Sequence, residues 1–225
     1  MQDDGASGGK VVNRDDSGAV LSEAGMKDGV LEGPAVTYHP NGQPAHTARF
    51  KQGRLDGEMV QMDPAGQVTA RMSFRDGVLD GPMIVYAEGR KLAELPYAKG
   101  AIEGEMKTYD AAGRLHSLAP YKGGKLEGVM TVFHPGGAKL REAPYKAGKL
   151  EGEAIDYWES GPIRQRATWH ADLLDGPLTT YHESGEVNEE AVFAAGKPVS
   201  RHQAPPPAAP AKASKKSWID KTFGG

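Results

Sequence analysis

The feature that most constrains this chain is an internal repeat of about 24 residues. A Gly-x-Leu/Ile-Asp/Glu-Gly motif recurs along the sequence, and six of the seven spacings between its copies are 24 residues while one is 23. The copies open at Gly29, Gly53, Gly77, Gly100, Gly124, Gly148, Asp172 and Gly196. A weaker unit precedes them, with Gly18 and Met26 in register. A fixed period of this length indicates a repeat architecture in which each unit packs on its neighbours.

Within each unit the pattern is that of a β-hairpin. Apolar or β-branched stretches such as 83–86 and 130–133 run into clusters of turn residues, for example His39-Pro40-Asn41-Gly42, where glycine supplies the positive φ of a hairpin turn. We therefore predict an all-β, antiparallel array of about seven hairpins with roughly 14 strands. At ~4.8 Å per strand it extends for about 65 Å, and a sheet of that width is expected to form a curved, solenoid-like ribbon.

The aromatic residues fall into two columns of the repeat. The first column is Tyr38, Tyr86, Tyr109, Phe133, Tyr157 and Tyr181, with Met62 in the remaining unit; the second is Phe50, Phe74, Tyr97, Tyr121, Tyr145, Trp169 and Phe193. Side chains in register on neighbouring hairpins stack into ladders, so these columns are expected to supply the core of a thin repeat protein. A carbohydrate-binding aromatic stripe is the alternative.

The repeat resembles a known family. Gly-x-Leu-Asp/Glu-Gly-x-x-x-x-Tyr-x-x-x-Gly at this period is similar to the variant MORN repeat of the YwqK-like antitoxin family, over residues 29 to about 199. The resemblance implies a non-enzymatic antitoxin or immunity protein that neutralises a bacterial toxin or effector by occluding it. Other MORN arrays are scaffolds or membrane-associated linkers, which is the alternative function.

The chain divides into four segments. Residues 1–18 are a flexible or degenerate first repeat, residues 19–199 are the repeat domain, residues 200–214 are a Pro/Ala-rich linker, and residues 215–225 are a basic-aromatic tail. The start of the sequence has no basic and apolar leader pattern, so a cytoplasmic location is expected, or a periplasmic one if the N-terminus has been processed. Trp218 and Phe223 in the tail are candidates for weak docking to a membrane or an assembly.

The carboxylates, serines and histidines of the repeat are better explained as residues that stabilise turns than as metal ligands or catalytic residues. The seven carboxylates Glu32, Asp56, Asp80, Glu103, Glu127, Glu151 and Asp175 recur once per unit. Equivalent positions lie two strands, ~10 Å, apart, too far to share a metal ion, so a role in binding backbone amides of the turns is expected. Serine and histidine residues match no catalytic motif, and no cofactor is expected. We predict that the chain is not an enzyme.

Two features depart from the repeat and indicate a partner-binding surface. Trp158 follows the column residue Tyr157, which places it on the opposite face if the strand continues; packing on the next turn is the alternative. Units five and six also concentrate basic residues on an otherwise acidic body, namely Lys122, Lys125, Lys139, Arg141, Lys146 and Lys149. The partner-binding residues predicted here are Trp158, Lys122, Lys125, Lys146 and Lys149, with a solvated face as the alternative for the lysines.

The charge balance argues against nucleic acid as the partner. The net charge is −3, and residues 197–225 carry six basic residues against one acidic residue, so the first 196 residues hold −8. Phosphate binding needs clustered Lys and Arg on the body of a domain. We expect a toxin or effector protein as partner, and a monomer when the chain is free.

Overall fold

The computed structural model describes residues 8–204, which form one antiparallel sheet and contain no helix. The absence of helix leaves nothing in these residues that could serve as a membrane-spanning helix. The strands are β1 Gly8–Arg14, β2 Val20–Lys27, β3 Val30–Tyr38, β4 Pro44–Lys51, β5 Arg54–Leu55, β6 Gly57–Met62, β7 Val68–Arg75, β8 Val78–Ala87, β9 Arg90–Ala98, β10 Ala101–Ile102, β11 Gly104–Tyr109, β12 Leu115–Lys122, β13 Lys125–Leu126, β14 Gly128–Phe133, β15 Lys139–Lys146, β16 Lys149–Leu150, β17 Gly152–Tyr157, β18 Ile163–His170, β19 Leu173–Tyr181, β20 Val187–Ala194 and β21 Lys197–Gln203.

The hairpin array predicted from the repeat is confirmed. Neighbours in the sequence of strands are neighbours in the sheet. In four units the first strand is divided in two at the recurring acid–glycine step of the motif. When each divided strand is counted once, the seven units supply the 14 strands expected. The strands β1, β2 and β21 extend the sheet at its two ends, so that pairing begins inside segment 1–18 and continues to Gln203. The sheet is open and uncurled, and so differs from the curved, solenoid-like ribbon expected from its width.

The glycine of the acid–glycine step adopts a backbone conformation outside the β region, in the divided and in the continuous strands alike. Gly128 has φ 117°, and a Cβ on it would lie 3.1 Å from Cγ of Pro120 on the neighbouring strand. Glycine therefore fits here for two reasons, the positive φ and the close approach of the proline ring. The cross-strand partner of Gly128 is Tyr145, a residue of the second aromatic column.

Two kinds of turn define the two long edges of the sheet. On the short-turn edge, each turn has two central residues with positive φ, as in type I′ hairpins. These turns are 28–29, 52–53, 76–77, 99–100, 123–124, 147–148, 171–172 and 195–196. On the long-turn edge, four-residue turns such as His39–Gly42 are closed by a bond from the Gly42 N–H to the His39 carbonyl, 2.8 Å.

One unit of 23 residues is explained by its turn on the long-turn edge. There, Glu88 and Gly89 form a two-residue turn with φ of 50° and 75°, and Ala87 pairs directly with Arg90. This turn is shorter than its counterparts, and the spacing between Gly77 and Gly100 falls to 23 accordingly. The register of the following unit is unchanged.

The two aromatic columns lie on opposite faces of the sheet. Residues directly paired across strands project from the same face, and alternate residues along a strand share a face. The second column, Phe50 to Phe193, therefore lies on one face, which we call the stripe face. The first column, Tyr38 to Tyr181, lies on the other, which we call the tyrosine face.

The centre of the stripe face is an unbroken apolar row that crosses sixteen successive strands. Its register is given by pairs such as Met59 with Met72, Met83 with Leu95, and Ala154 with Ala167. The central row is Val11, Ala24, Ala35, Ala48, Met59, Met72, Met83, Leu95, Met106, Ala119, Met130, Ala143, Ala154, Ala167, Leu178 and Ala191. Its alanines include the most buried residues of the described chain, with Ala167 only 1% exposed.

Candidate protein-binding surface

The recurring carboxylates bind backbone amides, but those amides belong to the next unit. Each acceptor reaches the N–H of the first residue in the following two-residue turn. The bonds are Gln52 N to Glu32 (2.7 Å), Asp76 N to Asp56 (3.3 Å), Gly123 N to Glu103 (2.6 Å), Ala147 N to Glu127 (2.7 Å), Ala171 N to Glu151 (2.9 Å) and Ala195 N to Asp175 (3.3 Å). Asp80 instead lies 3.3 Å from the Arg75 guanidinium. The carboxylates therefore join successive turns along the short-turn edge.

Backbone bonds run beside these contacts. The second residue of each turn donates to a carbonyl of the preceding unit, as in Gly148 N to Leu126 O at 2.8 Å. Asp172 replaces the usual glycine at this position, and its own carboxylate accepts the Leu150 N–H at 2.8 Å. In residues 8–204, no three His, Asp or Glu side chains come together in a way that could hold a metal ion.

Four of the predicted lysines flank two successive turns of the short-turn edge. Lys122 pairs with Lys125 across turn 123–124, and Lys146 pairs with Lys149 across turn 147–148. All four are exposed, and none forms an ion pair with another described residue. Because equivalent turns lie two strands apart, about 10 Å, the four charges form one compact group. We call this group the lysine edge.

The other two basic residues of the predicted patch do not belong to the lysine edge. Lys139 is paired with Glu142 at 2.5 Å, and Arg141 lies 3.6 Å from Asp156. Glu103, Glu127 and Glu151 are the acidic neighbours of the lysine edge, three against four lysines, and each has a carboxylate oxygen occupied by a turn amide. The central residues of both turns are uncharged, so the lysine edge keeps a net positive charge.

The expectation that Trp158 lies on the exposed face of a strand is wrong. Strand β17 ends at Tyr157, and Trp158 begins a four-residue turn whose Gly161 N–H bonds to its carbonyl at 2.9 Å. The half-buried indole donates to the carbonyl of Tyr181 in the next unit at 3.3 Å. Trp158 therefore packs on the next turn, which was the alternative.

Trp158 and the lysine edge lie on opposite edges of the sheet. Nine residues separate Lys149 from Trp158, which corresponds to about 25–30 Å along an extended strand. One compact binding centre that includes both is therefore excluded. The guanidinium of Arg164 lies 5.9 Å from the centroid of the Trp158 ring and also approaches Asp156, a carboxylate that is only 8% exposed.

The histidines take part in contacts between turns and strands. His39 Nε2 lies 2.9 Å from the carbonyl of Met62 in the next unit. His170 lies at the short-turn edge, 2.8 Å from Glu151, and the turn amide of Ala171 together with His170 lowers the pKa of the Glu151 carboxyl. These contacts explain His39 and His170 as structural residues, whereas Nε2 of His134 is buried without a hydrogen-bond partner among the described residues.

No described cluster has the geometry of a catalytic site. Ser160 donates to Glu183, and Ser184 lies 3.3 Å from Glu186, so both serines face a carboxylate and not a histidine. Tyr157 donates to Glu142 at 2.5 Å, and burial together with that carboxylate raises the pKa of its phenol to about 12. A phenol with this pKa stays protonated at neutral pH, so Tyr157 acts as a hydrogen-bond donor within the sheet.

The remaining predicted site residues, Trp218 and Phe223, lie outside the described residues, as do the rest of the tail and most of the linker. Sequence reasoning also missed the central row. The signal was available, because the residue two places before each aromatic of the second column is always alanine, methionine or leucine.

Comparison with known proteins identifies the repeat unit. A family model described as "MORN repeat variant" matches residues 31–52, 102–122 and 174–195. These segments are hairpins one, four and seven of the array. Each begins two residues after the end of a two-residue turn of the short-turn edge. The search of curated proteins found no significant match. No catalytic family is indicated.

Proposed function

We propose that the chain is a MORN-repeat protein that acts as a non-catalytic binding module, and that its partner is an acidic protein surface that docks on the lysine edge; the three matches to the MORN repeat variant support the first part. The observation that carries this proposal is the group of four exposed lysines without ion pairs on two successive turns. Elsewhere in the described sheet most charged groups near the strands are matched, as with Arg71 and Glu58 at 3.0 Å. Unmatched charge of one sign favours a partner of the opposite sign.

The resemblance to the YwqK-like family supports a more specific proposal about the partner. We propose that the partner is a bacterial toxin or effector and that the array inhibits it by covering its active cleft, with no covalent step. Specific protein interfaces bury about 1,600 Å² in total, which three or four hairpins are able to supply. The turn edge is well suited to entering a cleft because turns project beyond the strands.

The experiment is to purify the full-length chain with its bound proteins from its own host, identify the partner, and measure binding of variants. The double variant Lys146→Glu, Lys149→Glu should weaken binding at least tenfold, and the affinity of the unmodified pair should fall as salt rises from 50 to 300 mM because exposed charges are screened. The melting temperature should stay nearly unchanged, since both side chains are exposed.

The sequence offers a matched control. Lys51 and Arg54 flank turn 52–53 in the same cross-strand arrangement, are also exposed, and lie three units away. Reversing both charges should leave binding within about twofold. Equal losses for the two double variants would contradict a partner site at the lysine edge. Binding without inhibition of any partner activity would contradict the antitoxin proposal and leave a scaffold, the alternative function.

A further inference from the structure

The stripe face carries an apolar surface that nothing in residues 8–204 covers. The central row runs beside the second aromatic column and its neighbouring leucines on the same face, and the described sheet is a single layer. Apart from the most buried alanines, these side chains are largely half-buried, shielded by neighbours within the layer only. We call the central row and the second aromatic column together the apolar stripe.

The apolar stripe is large for a protein that stays monomeric. Sixteen strands at ~4.8 Å give a length of about 70 Å, and two rows of side chains give a width of about 12 Å. The footprint is roughly 800 Å², whereas the largest apolar patch on a typical monomer is about 300–600 Å². In the alignment derived below, thirteen of the sixteen strands of the row face each other, so two copies in contact would bury roughly 1,300 Å² in total, which lies within the range of about 1,200–2,000 Å² for stable interfaces.

We propose that the apolar stripe is the interface of a two-fold symmetric homodimer in which two sheets pack face to face. Antiparallel sheets commonly bury one face, and paired sheets stack about 10 Å apart with interdigitating side chains. The central row contains no charged residue along its sixteen strands, and Arg201, which continues the row on β21, is paired with Glu189, so a second copy buries no unpaired charge there. This dimer replaces the monomer expected from the sequence.

The composition of the row fixes how the two copies align. Five consecutive long side chains, from Met59 to Met106, occupy the middle of the row, and three consecutive alanines, Ala143, Ala154 and Ala167, follow Met130. A two-fold axis at Ala119, parallel to the strands, sets Met72, Met83 and Leu95 of each copy against Ala167, Ala154 and Ala143 of the other, and thirteen of the sixteen row residues then face each other. The same axis places the second aromatic column of one copy over the second aromatic column of the other. An axis perpendicular to the strands would instead place aromatic residues over polar ones.

The tyrosine face is unsuitable for the same packing. It carries charged pairs along its length, including Lys91 with Glu94 at 2.5 Å and Arg166 with Glu153 at 2.9 Å. Burying such pairs removes their hydration, and that cost offsets or exceeds their attraction. On the stripe face, the Arg141–Asp156 pair lies beside the central row and not in it, so the stripe face is the one through which two copies associate.

The alignment has a consequence for partner binding. An axis parallel to the strands places the short-turn edges of both copies on the same side of the dimer. The two lysine edges then lie in one plane, and a single acidic partner is able to contact both. Dimerisation is measured without any partner, so its failure is distinguishable from failure of the proposed binding function.

The test is the mass of the purified full-length chain, measured by sedimentation equilibrium from about 1 to 100 µM. The monomer mass is 24.0 kDa, and we expect twice that value over most of this range. In the double variant Met83→Glu, Met106→Glu the mass should fall to that of the monomer. A monomer throughout the range for the unmodified chain would overturn the proposal without reference to any variant.

The matched control introduces the same charges on the opposite face. Leu118→Glu with Val129→Glu changes two apolar residues on neighbouring strands of the tyrosine face and should leave the dimer intact. Far-ultraviolet circular dichroism must show the strand signal in both variants. If the Met83, Met106 variant is folded and still dimeric, association runs through another surface, such as the end strands β1 and β21, and the proposal is overturned.

Discussion

Replacing Ala147 with glycine should stabilise the protein, although it removes a side chain. Ala147 opens a two-residue turn with φ 52°, and Gly123 occupies the equivalent position with φ 56°. The left-handed region costs an alanine ~1–2 kcal/mol, while glycine loses ~0.5–1 kcal/mol more backbone entropy on folding. The difference predicts that Ala147→Gly raises the free energy of unfolding by about 0.5–1 kcal/mol.

The reverse change is the internal control. A Cβ on Gly123 would meet no atom within 4 Å, so Gly123→Ala changes only the conformational terms and should lower the free energy of unfolding by about the same amount. For a chain of this size the melting temperature should move by roughly 1–4 °C in opposite directions. Hydrogen exchange at the Gly148 amide, which bonds to Leu126 O, reports the local effect.

If Ala147→Gly lowers the melting temperature and Gly123→Ala raises it, the reasoning is refuted. That result would mean that the entropy of the unfolded chain outweighs the strain of the left-handed alanine. Equal shifts in the same direction would refute it as well.

Three further perturbations have definite outcomes. Glu127→Ala removes the acceptor of the Ala147 N–H at 2.7 Å, and because Glu127 is exposed to solvent the cost should be only about 1 kcal/mol, seen as faster hydrogen exchange of that amide. Tyr157 has a folded pKa of about 12 against an ordinary 10, so its contribution to stability is present below pH 10 and is lost as pH rises through about 12; the tyrosinate absorbance should show a late-titrating phenol that Tyr157→Phe removes. EDTA should not change the melting temperature, because the carboxylates of the short-turn edge bind turn amides instead of a shared ion, and a large decrease would contradict this.

The hairpins were predictable because the same pattern recurs in seven units, although the secondary structure of any one short apolar stretch is ambiguous. One stretch such as 130–133 could be read as strand or helix, but seven copies bounded by the same turn residues leave only the hairpin. The two-residue turns also follow from local chemistry, since both central residues need positive φ and glycine supplies it most readily. The partners of the carboxylates were only half predictable, because the amides that they bind lie about 20 residues ahead.

The error at Trp158 has a physical cause. Tyr157 and Trp158 resemble the continuation of a strand, so local propensity placed both residues in β structure. The aligned positions in other units, His39 and Asp63 among them, begin turns, and the repeat register overrides propensity. The central row escaped notice because alanine and methionine have no marked strand preference; only the strand pairing shows that they form one row.

Many bonds between neighbouring units join residues about one period apart, as in Ala147 N to Glu127, Gly148 N to Leu126 and Trp158 to the Tyr181 carbonyl. No contact of this kind depends on the total number of units. If one whole 24-residue segment were duplicated or lost, each remaining unit would therefore form the same bonds with its new neighbour, and no other part of the sheet would have to repack. Such a chain is able to change its length in evolution by single steps, and each added hairpin lengthens it by about 10 Å.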